Sequence, residues 1–166
     1  MSTCIAYYSK SGNTEIVTEY LSKKIGADII KLEDKTRYVG IVGFIKGGMN
    51  ASRTKKAELD SNIYSEISKH DRIILATPVW AGKTTPAINA VLENTDFNGK
   101  EVYVVTTQAD PSFKGADERK KFYKDIIEKK NGKLLGYFSL QGSVPGKTAK
   151  DKKILTSQVD NTVNIV

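Results

Sequence analysis

Five short apolar runs recur along the chain, each about as long as a β-strand. They occupy residues 3–8, 27–32, 72–76, 101–106 and 134–140, and are bounded by turn-forming residues. The runs RIILA (72–76) and VYVV (102–105) lack the polar alternation that marks a strand with one solvated face. We therefore expect both faces of the sheet to be covered, as in a parallel sheet flanked by helices.

The stretches between these runs have helical periodicity. Residues 13–25 place their apolar side chains on one stripe, and Gly26 follows as a candidate C-cap. A second stripe within 116–130 is formed by Phe122, Ile126 and Ile127. Helices are also predicted over 61–69, 84–94 and 148–160. The alternation of strands and helices predicts one doubly wound α/β domain over residues 1–166.

Residues 34–58 do not follow this rhythm, because they mix apolar residues and glycines without a regular period. Two interpretations remain open for this excursion. It forms either a short packed helix and loop or a flap over a bound ligand.

The composition is that of a globular protein rather than a disordered or membrane-spanning one. Of the 166 residues, 39% are hydrophobic and 27% are charged, and no apolar run approaches the length of a membrane span. The N-terminal residues lack the features of a signal peptide, and the single cysteine cannot form an internal disulfide. These features predict a cytoplasmic protein. Cys4, within the first apolar run, is expected to be a small buried hydrophobe.

Charge and rare residues narrow the classes of function. The net charge is +7, but the lysines are spread along the chain without a basic block, so we expect neither nucleic-acid binding nor membrane insertion. One histidine and one cysteine cannot build a histidine-based triad or a His/Cys metal cluster. We therefore predict no catalytic side chain and no metal site.

The turn SKSGNT (9–14) joins the first predicted strand to the first predicted helix. A helix N-terminus at the carboxyl end of a parallel strand presents free N–H groups and a partial positive charge to a ligand. Hydroxyl and amide side chains surround Gly12, whose missing Cβ lets the backbone curve around an anion. The turn therefore suits phosphate, although an ordinary helix cap uses the same residue types.

Two further loops are expected at the same edge of the sheet. The loop 77–83 contains Trp80, the only tryptophan, beside Gly82. Its indole either packs at the rim of the core or stacks on a planar ligand. The loop 106–115 adds small, polar and aromatic residues. Together the three loops predict a crevice for a phosphate and an aromatic ring system.

The segments IAYYSKSGNTEIVTEYL (5–21) and TPVWAGKTTPAINAVL (77–92) resemble the phosphate loop and the second flavin-binding loop of the flavodoxin family. The resemblance implies a flavodoxin-like fold, with five parallel strands in the order 2-1-3-4-5, and noncovalently bound flavin mononucleotide (FMN). Carried over by motif, the phosphate would be held by Ser9, Lys10, Ser11, Gly12, Asn13 and Thr14. The isoalloxazine ring would lie along Thr77, Pro78, Val79, Trp80, Ala81, Gly82 and Lys83, with Thr107, Gln108 and Asp110 on its other side.

The chain departs from the family in charge and at one loop residue. Electron-carrying flavodoxins are typically acidic, whereas here Lys10, Lys83 and Lys114 lie in or beside the three loops, against Asp110. Attraction between ammonium groups and a reduced, anionic flavin predicts a reduction potential less negative than in acidic flavodoxins. Ala81 stands where such flavodoxins often have glycine, and its Cβ disfavours a positive φ.

The sequence allows three other functional interpretations. GSVPGKT (142–148) resembles a nucleotide-binding P-loop, but Gln141 stands where the motif needs its first glycine, so we interpret the stretch as a turn before the last helix. Within flavin chemistry, an electron carrier serving redox partner proteins is favoured over an FMN-dependent oxidoreductase acting on a quinone or other small acceptor. A scaffold without flavin is the third possibility. The sequence leaves open whether the protein is a monomer or a dimer.

Overall fold

The structure, a computed structural model, describes residues 1–35, 56–144, 147–149 and 151–165. Its five strands are β1 (Thr3–Tyr7), β2 (Asp28–Lys31), β3 (Arg72–Pro78), β4 (Glu101–Gln108) and β5 (Lys133–Gln141). All neighbouring pairs are parallel, and the order is β2-β1-β3-β4-β5. The predicted doubly wound sheet and its strand order are confirmed. The excursion at 34–58 falls mostly outside the described residues.

Five helices are described: α1 (Asn13–Ile25), α2 (Asn62–Ser68), α3 (Pro86–Asn94), α4 (Ala116–Lys129) and α5 (Lys152–Thr162). They cover both faces of the sheet, because successive strand residues point to opposite sides. Cys4 and Ala6 pack in the cluster that contains Ile67 and Ile127, from α2 and α4. Ile5 and Tyr7 pack in the opposite cluster, with residues of α1 and α5. The unbroken apolar runs thus correspond to strands buried on both faces.

Two helices start later than predicted, and their first turns explain why. Helix α3 begins at Pro86 rather than at 84, since proline suits the first helical position. Helix α5 begins at Lys152 rather than at 148, and Asp151 caps it by accepting a hydrogen bond from the Lys153 N–H at 2.8 Å. The predicted C-cap of α1 is confirmed, because Gly26 has a φ of 69° and donates to the Ser22 carbonyl.

Cys4 has the buried, unreactive environment expected from the sequence. Its side chain is fully buried in β1, and burial raises the pKa of its thiol from an ordinary 9.0 to about 12. The folded chain therefore keeps this proton to a higher pH than the unfolded chain does. The stability that this proton confers is complete below pH 9 and is lost as the pH rises through 12.

We expect Cys4→Ala to flatten the fall in stability at alkaline pH. Between pH 9 and 11 the free energy of unfolding of the parent chain should carry a one-proton slope of about 1.4 kcal/mol per pH unit that the variant lacks. Urea titrations at several pH values measure the difference. Equal slopes, or labelling of native Cys4 by a thiol reagent as fast as in urea, would contradict the buried thiol.

Candidate functional site

Three loops meet at the carboxyl edge of the sheet, as the sequence predicts. They are called here the first loop (9–14), the second loop (77–83) and the third loop (106–115). Strands β1 and β3 are in register at Tyr7 and Ala76, and β3 and β4 at Pro78 and Thr107. The Val79 N–H donates to the Thr107 carbonyl at 2.9 Å, so the two strands stay paired into the loops. The predicted ligand-contacting residues 9–14, 77–83, 107, 108 and 110 therefore lie along one edge. Ligands of open parallel sheets bind at this edge.

The first loop presents a row of main-chain donors at the start of α1. Gly12 is the N-cap residue with a φ of 84°, and no side chain caps the helix. In the part of the chain that the structure describes, the five consecutive main-chain N–H groups from Ser11 to Glu15 donate to no acceptor. The residues that carry these N–H groups are half-buried or buried, and the groups add to the positive end of the helix dipole. The loop has the donor set that a phosphate monoester requires.

Side chains of the first loop hold it to the segment 147–149. The Asn13 side chain donates from Nδ2 to the Lys147 carbonyl at 2.8 Å and accepts at Oδ1 from the Ala149 N–H at 2.9 Å. The Thr148 hydroxyl donates to the Ser11 carbonyl. The stretch that resembled a P-loop therefore supports the first loop, and α5 starts only afterwards. Sequence reasoning did not find this support.

Two threonines of the predicted site meet beneath the loop. The hydroxyls of Thr14 and Thr107 are 2.8 Å apart, and both side chains are buried. This bond joins the first turn of α1 to the end of β4. It stabilises the positions of the loops from below, whereas the predicted contacts of these residues with a ligand remain predictions.

The second loop turns sharply between Trp80 and Lys83. Each of these residues donates its N–H to the other's carbonyl, at 3.0 and 2.9 Å. The two central residues, Ala81 and Gly82, have φ of 48° and 73°, the signs of a type I′ turn. Ala81 therefore adopts the positive φ that its Cβ disfavours. Below the turn, the buried Thr77 hydroxyl is 2.9 Å from that of Thr85.

Trp80 is half-buried and packs against the core cluster on the side of α2 and α3. The Tyr8 ring meets the indole edge-on, with centroids 5.4 Å apart. The Lys10 ammonium lies 5.7 Å from the indole centroid, and desolvation there lowers the pKa of Lys10. The indole thus has the rim contacts of the first interpretation, and stacking on a ligand stays a prediction.

The third loop is organised by Asp110. Its carboxylate accepts hydrogen bonds from the Ser112 N–H and hydroxyl and from the Lys114 N–H, and these bonds hold the pKa of Asp110 below its usual value. Phe113 has a φ of 51°, rare for a bulky residue. Asp110 therefore shapes its own loop, and its predicted contact with a ligand remains a prediction.

Arg119 is the main residue at this edge that sequence reasoning missed. Although it belongs to α4, its side chain is only 4% exposed and reaches both the second and the third loop. A cavity of about 430 Å³ lies between these loops, lined by Val79, Gly82, Gln108, Ala109, Asp110, Lys114, Gly115 and Arg119. The polar sequence around position 119, DERKK, contains no signal that this arginine is buried.

No group of three or more His, Cys, Asp and Glu in the described ranges is placed to hold a metal ion. Among the helices described, none is both long enough and apolar enough to cross a membrane.

Comparison with known proteins finds a matching sequence family and similar solved structures. A flavodoxin family model matches residues 2–145. No curated protein sequence matches the chain. The FMN complex of a flavoprotein from Lactobacillus acidophilus is similar in structure, with a TM-score of 0.67 and 18% identity over 98% of this chain and 99% of that one.

Two further solved structures have the same fold. The Trp repressor binding protein from Bacillus subtilis has a TM-score of 0.70 and 16% identity, with 99% of this chain and 100% of that one covered. Oxidised flavodoxin 2 from Bacillus cereus has a TM-score of 0.55 and 21% identity, with coverages of 95% and 94%. The expected fold and family resemblance are confirmed.

Proposed function

Because the chain belongs to the flavodoxin family, we propose that it binds FMN at the carboxyl edge of its sheet and carries electrons between redox partner proteins. One observation carries the proposal: the row of N–H groups from Ser11 to Glu15 that have no acceptor among the described residues. A dianionic phosphate ester satisfies such donors and the helix dipole together. FMN, when bound, supplies the reversible uptake of electrons.

The roles of the protein follow from its three loops. The first loop binds the phosphate through main-chain N–H groups, while Asn13 holds the loop in place from behind. The turn from Trp80 to Lys83 and the loop around Asp110 form the two sides of the crevice for the ring. The buried threonines 14 and 107 fix the distance between the phosphate end and the ring end.

Redox proteins with an acidic docking face are the partners we propose. Lys10, Lys83 and Lys114, one from each loop, are exposed at the rim of the crevice, and the net charge is +7. Long-range attraction of this kind speeds encounter with an acidic surface and weakens as salt is added.

Titration of the apoprotein with FMN tests the proposal. We expect saturable quenching of FMN fluorescence at one site, with riboflavin, which lacks the phosphate, binding at least 100-fold more weakly. Folded apoprotein that takes up no flavin would refute the proposed function. Steady oxidation of NADH or NADPH with a quinone by the purified protein would instead favour the FMN-dependent oxidoreductase.

Trp80→Ala is expected to weaken FMN binding by about 1–3 kcal/mol, because an indole stacked on a planar ring contributes about that much. Dissociation constants from the same fluorescence titration measure the loss. Tyr8→Leu serves as the control, since it removes the ring that meets the indole edge-on and leaves the indole itself. FMN affinity unchanged in Trp80→Ala would mean that the indole serves only the rim of the core.

A further inference from the structure

Arg119 is a buried cation that joins three parts of the candidate site. Its Nε donates to the Tyr137 hydroxyl at 3.0 Å, and its Nη1 donates to the carbonyls of Lys114 at 3.0 Å and Gly82 at 3.4 Å. Its Nη2 donates to the Gln108 side-chain oxygen at 2.5 Å. The guanidinium therefore connects the second loop, the third loop, the end of β4 and the middle of β5.

All four of these acceptors are neutral. Within the described residues, no carboxylate forms an ion pair with Arg119. Asp110 lines the same cavity, but its oxygens accept bonds from Ser112 and Lys114, while Glu118 is exposed. Burying a charge without a counter-ion costs several kcal/mol, which polar acceptors offset only in part. Among the described residues, the guanidinium of Arg119 therefore has no directly bonded counter-ion.

The charge of Arg119 lies beside the crevice proposed for the flavin ring. Arg119 lines the cavity of about 430 Å³ together with Gly82 and Gln108, both in the predicted ring site. Four of the five guanidinium N–H groups have partners among the described residues, which leaves one on Nη2. Because the side chain is 4% exposed, water and salt screen its field less than they screen the fields of exposed lysines.

We propose that Arg119 stabilises the negative charge that the bound flavin gains on reduction, and so raises its reduction potential. Uptake of two electrons from a reduced partner protein and one proton from water leaves the ring with one negative charge. A nearby buried cation favours that state over the neutral oxidised ring. This inference rests on the proposed binding of FMN. It assigns to one residue most of the effect that the sequence suggested for the rim lysines.

The test separates the charge of Arg119 from its hydrogen bonds. Arg119→Lys keeps the charge and loses most of the bonds, whereas Arg119→Gln loses the charge. In Arg119→Gln the ratio of dissociation constants for reduced and oxidised FMN should rise at least tenfold, which lowers the two-electron potential by about 30 mV. Arg119→Lys should change the ratio less than threefold. The control is Lys133→Met, which removes one exposed charge at the opposite edge of the sheet and should leave the ratio unchanged.

Each outcome decides the inference. An unchanged ratio in Arg119→Gln, or equal changes in Arg119→Gln and Arg119→Lys, would overturn it while leaving FMN binding intact. Absence of FMN binding by the parent chain would overturn both proposals. Circular dichroism and thermal melting of the apoproteins establish whether each variant folds. If Arg119→Gln does not fold, Gln108→Glu takes its place, because a carboxylate at position 108 neutralises the charge of the guanidinium that bonds to it. An unchanged ratio of the two dissociation constants in Gln108→Glu would also refute the role of Arg119.

Discussion

Gly12→Ala is expected to weaken FMN binding about 100-fold, or about 2.7 kcal/mol, while riboflavin binding changes less than threefold. Gly12 has a φ of 84°, and a Cβ there would lie 3.2 Å from Cγ2 and 3.3 Å from Oγ1 of Thr148. A left-handed alanine costs about 1–2 kcal/mol, and relief of the contact requires the loop or Thr148 to shift. Such a shift moves the phosphate-binding N–H groups. Parallel titrations with FMN and riboflavin measure the effect.

The matched control is Gly26→Ala at the other end of the same helix. Gly26 has a φ of 69°, and a Cβ there meets nothing within 4 Å. Both variants therefore carry a similar backbone penalty in the free energy of unfolding, but only Gly12→Ala should lose FMN affinity. Equal FMN affinity in the two variants, or a parallel loss of riboflavin binding in Gly12→Ala, would show that the first loop does not hold the phosphate.

Phe97→Ala is expected to lower the free energy of unfolding by about 3–5 kcal/mol, the largest effect on stability that we anticipate. Phe97 follows α3, is fully buried and belongs to the larger core cluster. Its surroundings close tightly around it: a Cβ at Gly132 would lie 3.0 Å from Phe97 Cβ, and the Lys130 ammonium lies 5.7 Å from the ring centroid. Such tightly packed surroundings collapse poorly around the cavity that the substitution leaves. Chemical denaturation measures the loss.

Leu135→Ala is the control for this substitution. Leu135 lies in β5 and is 49% exposed, so its truncation should cost less than about 1 kcal/mol. The FMN affinity of folded Phe97→Ala should equal that of the parent chain, because Phe97 lies in the connection to β4 and not in the three loops. A loss below 2 kcal/mol would indicate that the core repacks around the missing ring.

The sequence predicted the elements because local and global signals agree along most of this chain. The runs around Ile73 and Val104 are apolar on both faces, and the structure buries them between two layers of helices. Gly12 and Gly26 mark both ends of α1, and both have positive φ. Where residues 148–160 looked helical throughout, the first part instead contacts the first loop. Helical periodicity carries no information about a hydrogen-bond partner that lies more than a hundred residues away in the sequence.

Two features of the site differ from the expectation drawn from the local sequence, at Arg119 and at Ala81. Arg119 sits in a polar, lysine-rich helix segment, and only the packing of α4 against the loops buries it. Ala81 was expected to resist a positive φ, yet the paired hydrogen bonds of Trp80 and Lys83 impose one. Tertiary packing thus overrides the local signal at Arg119, whereas the two hydrogen bonds that close the turn override the preference of Ala81.

The hydrogen bonds between Asn13 and residues 147–149 affect the stage of folding at which the cofactor binds. Asn13, in the loop that offers its amides, is synthesised 134 residues before Lys147, which belongs to the support of that loop. During translation the loop therefore lacks part of its native frame until β5 and the segment after it have left the ribosome. The order of synthesis favours a protein that first completes its fold and then takes up flavin, rather than one that folds around it.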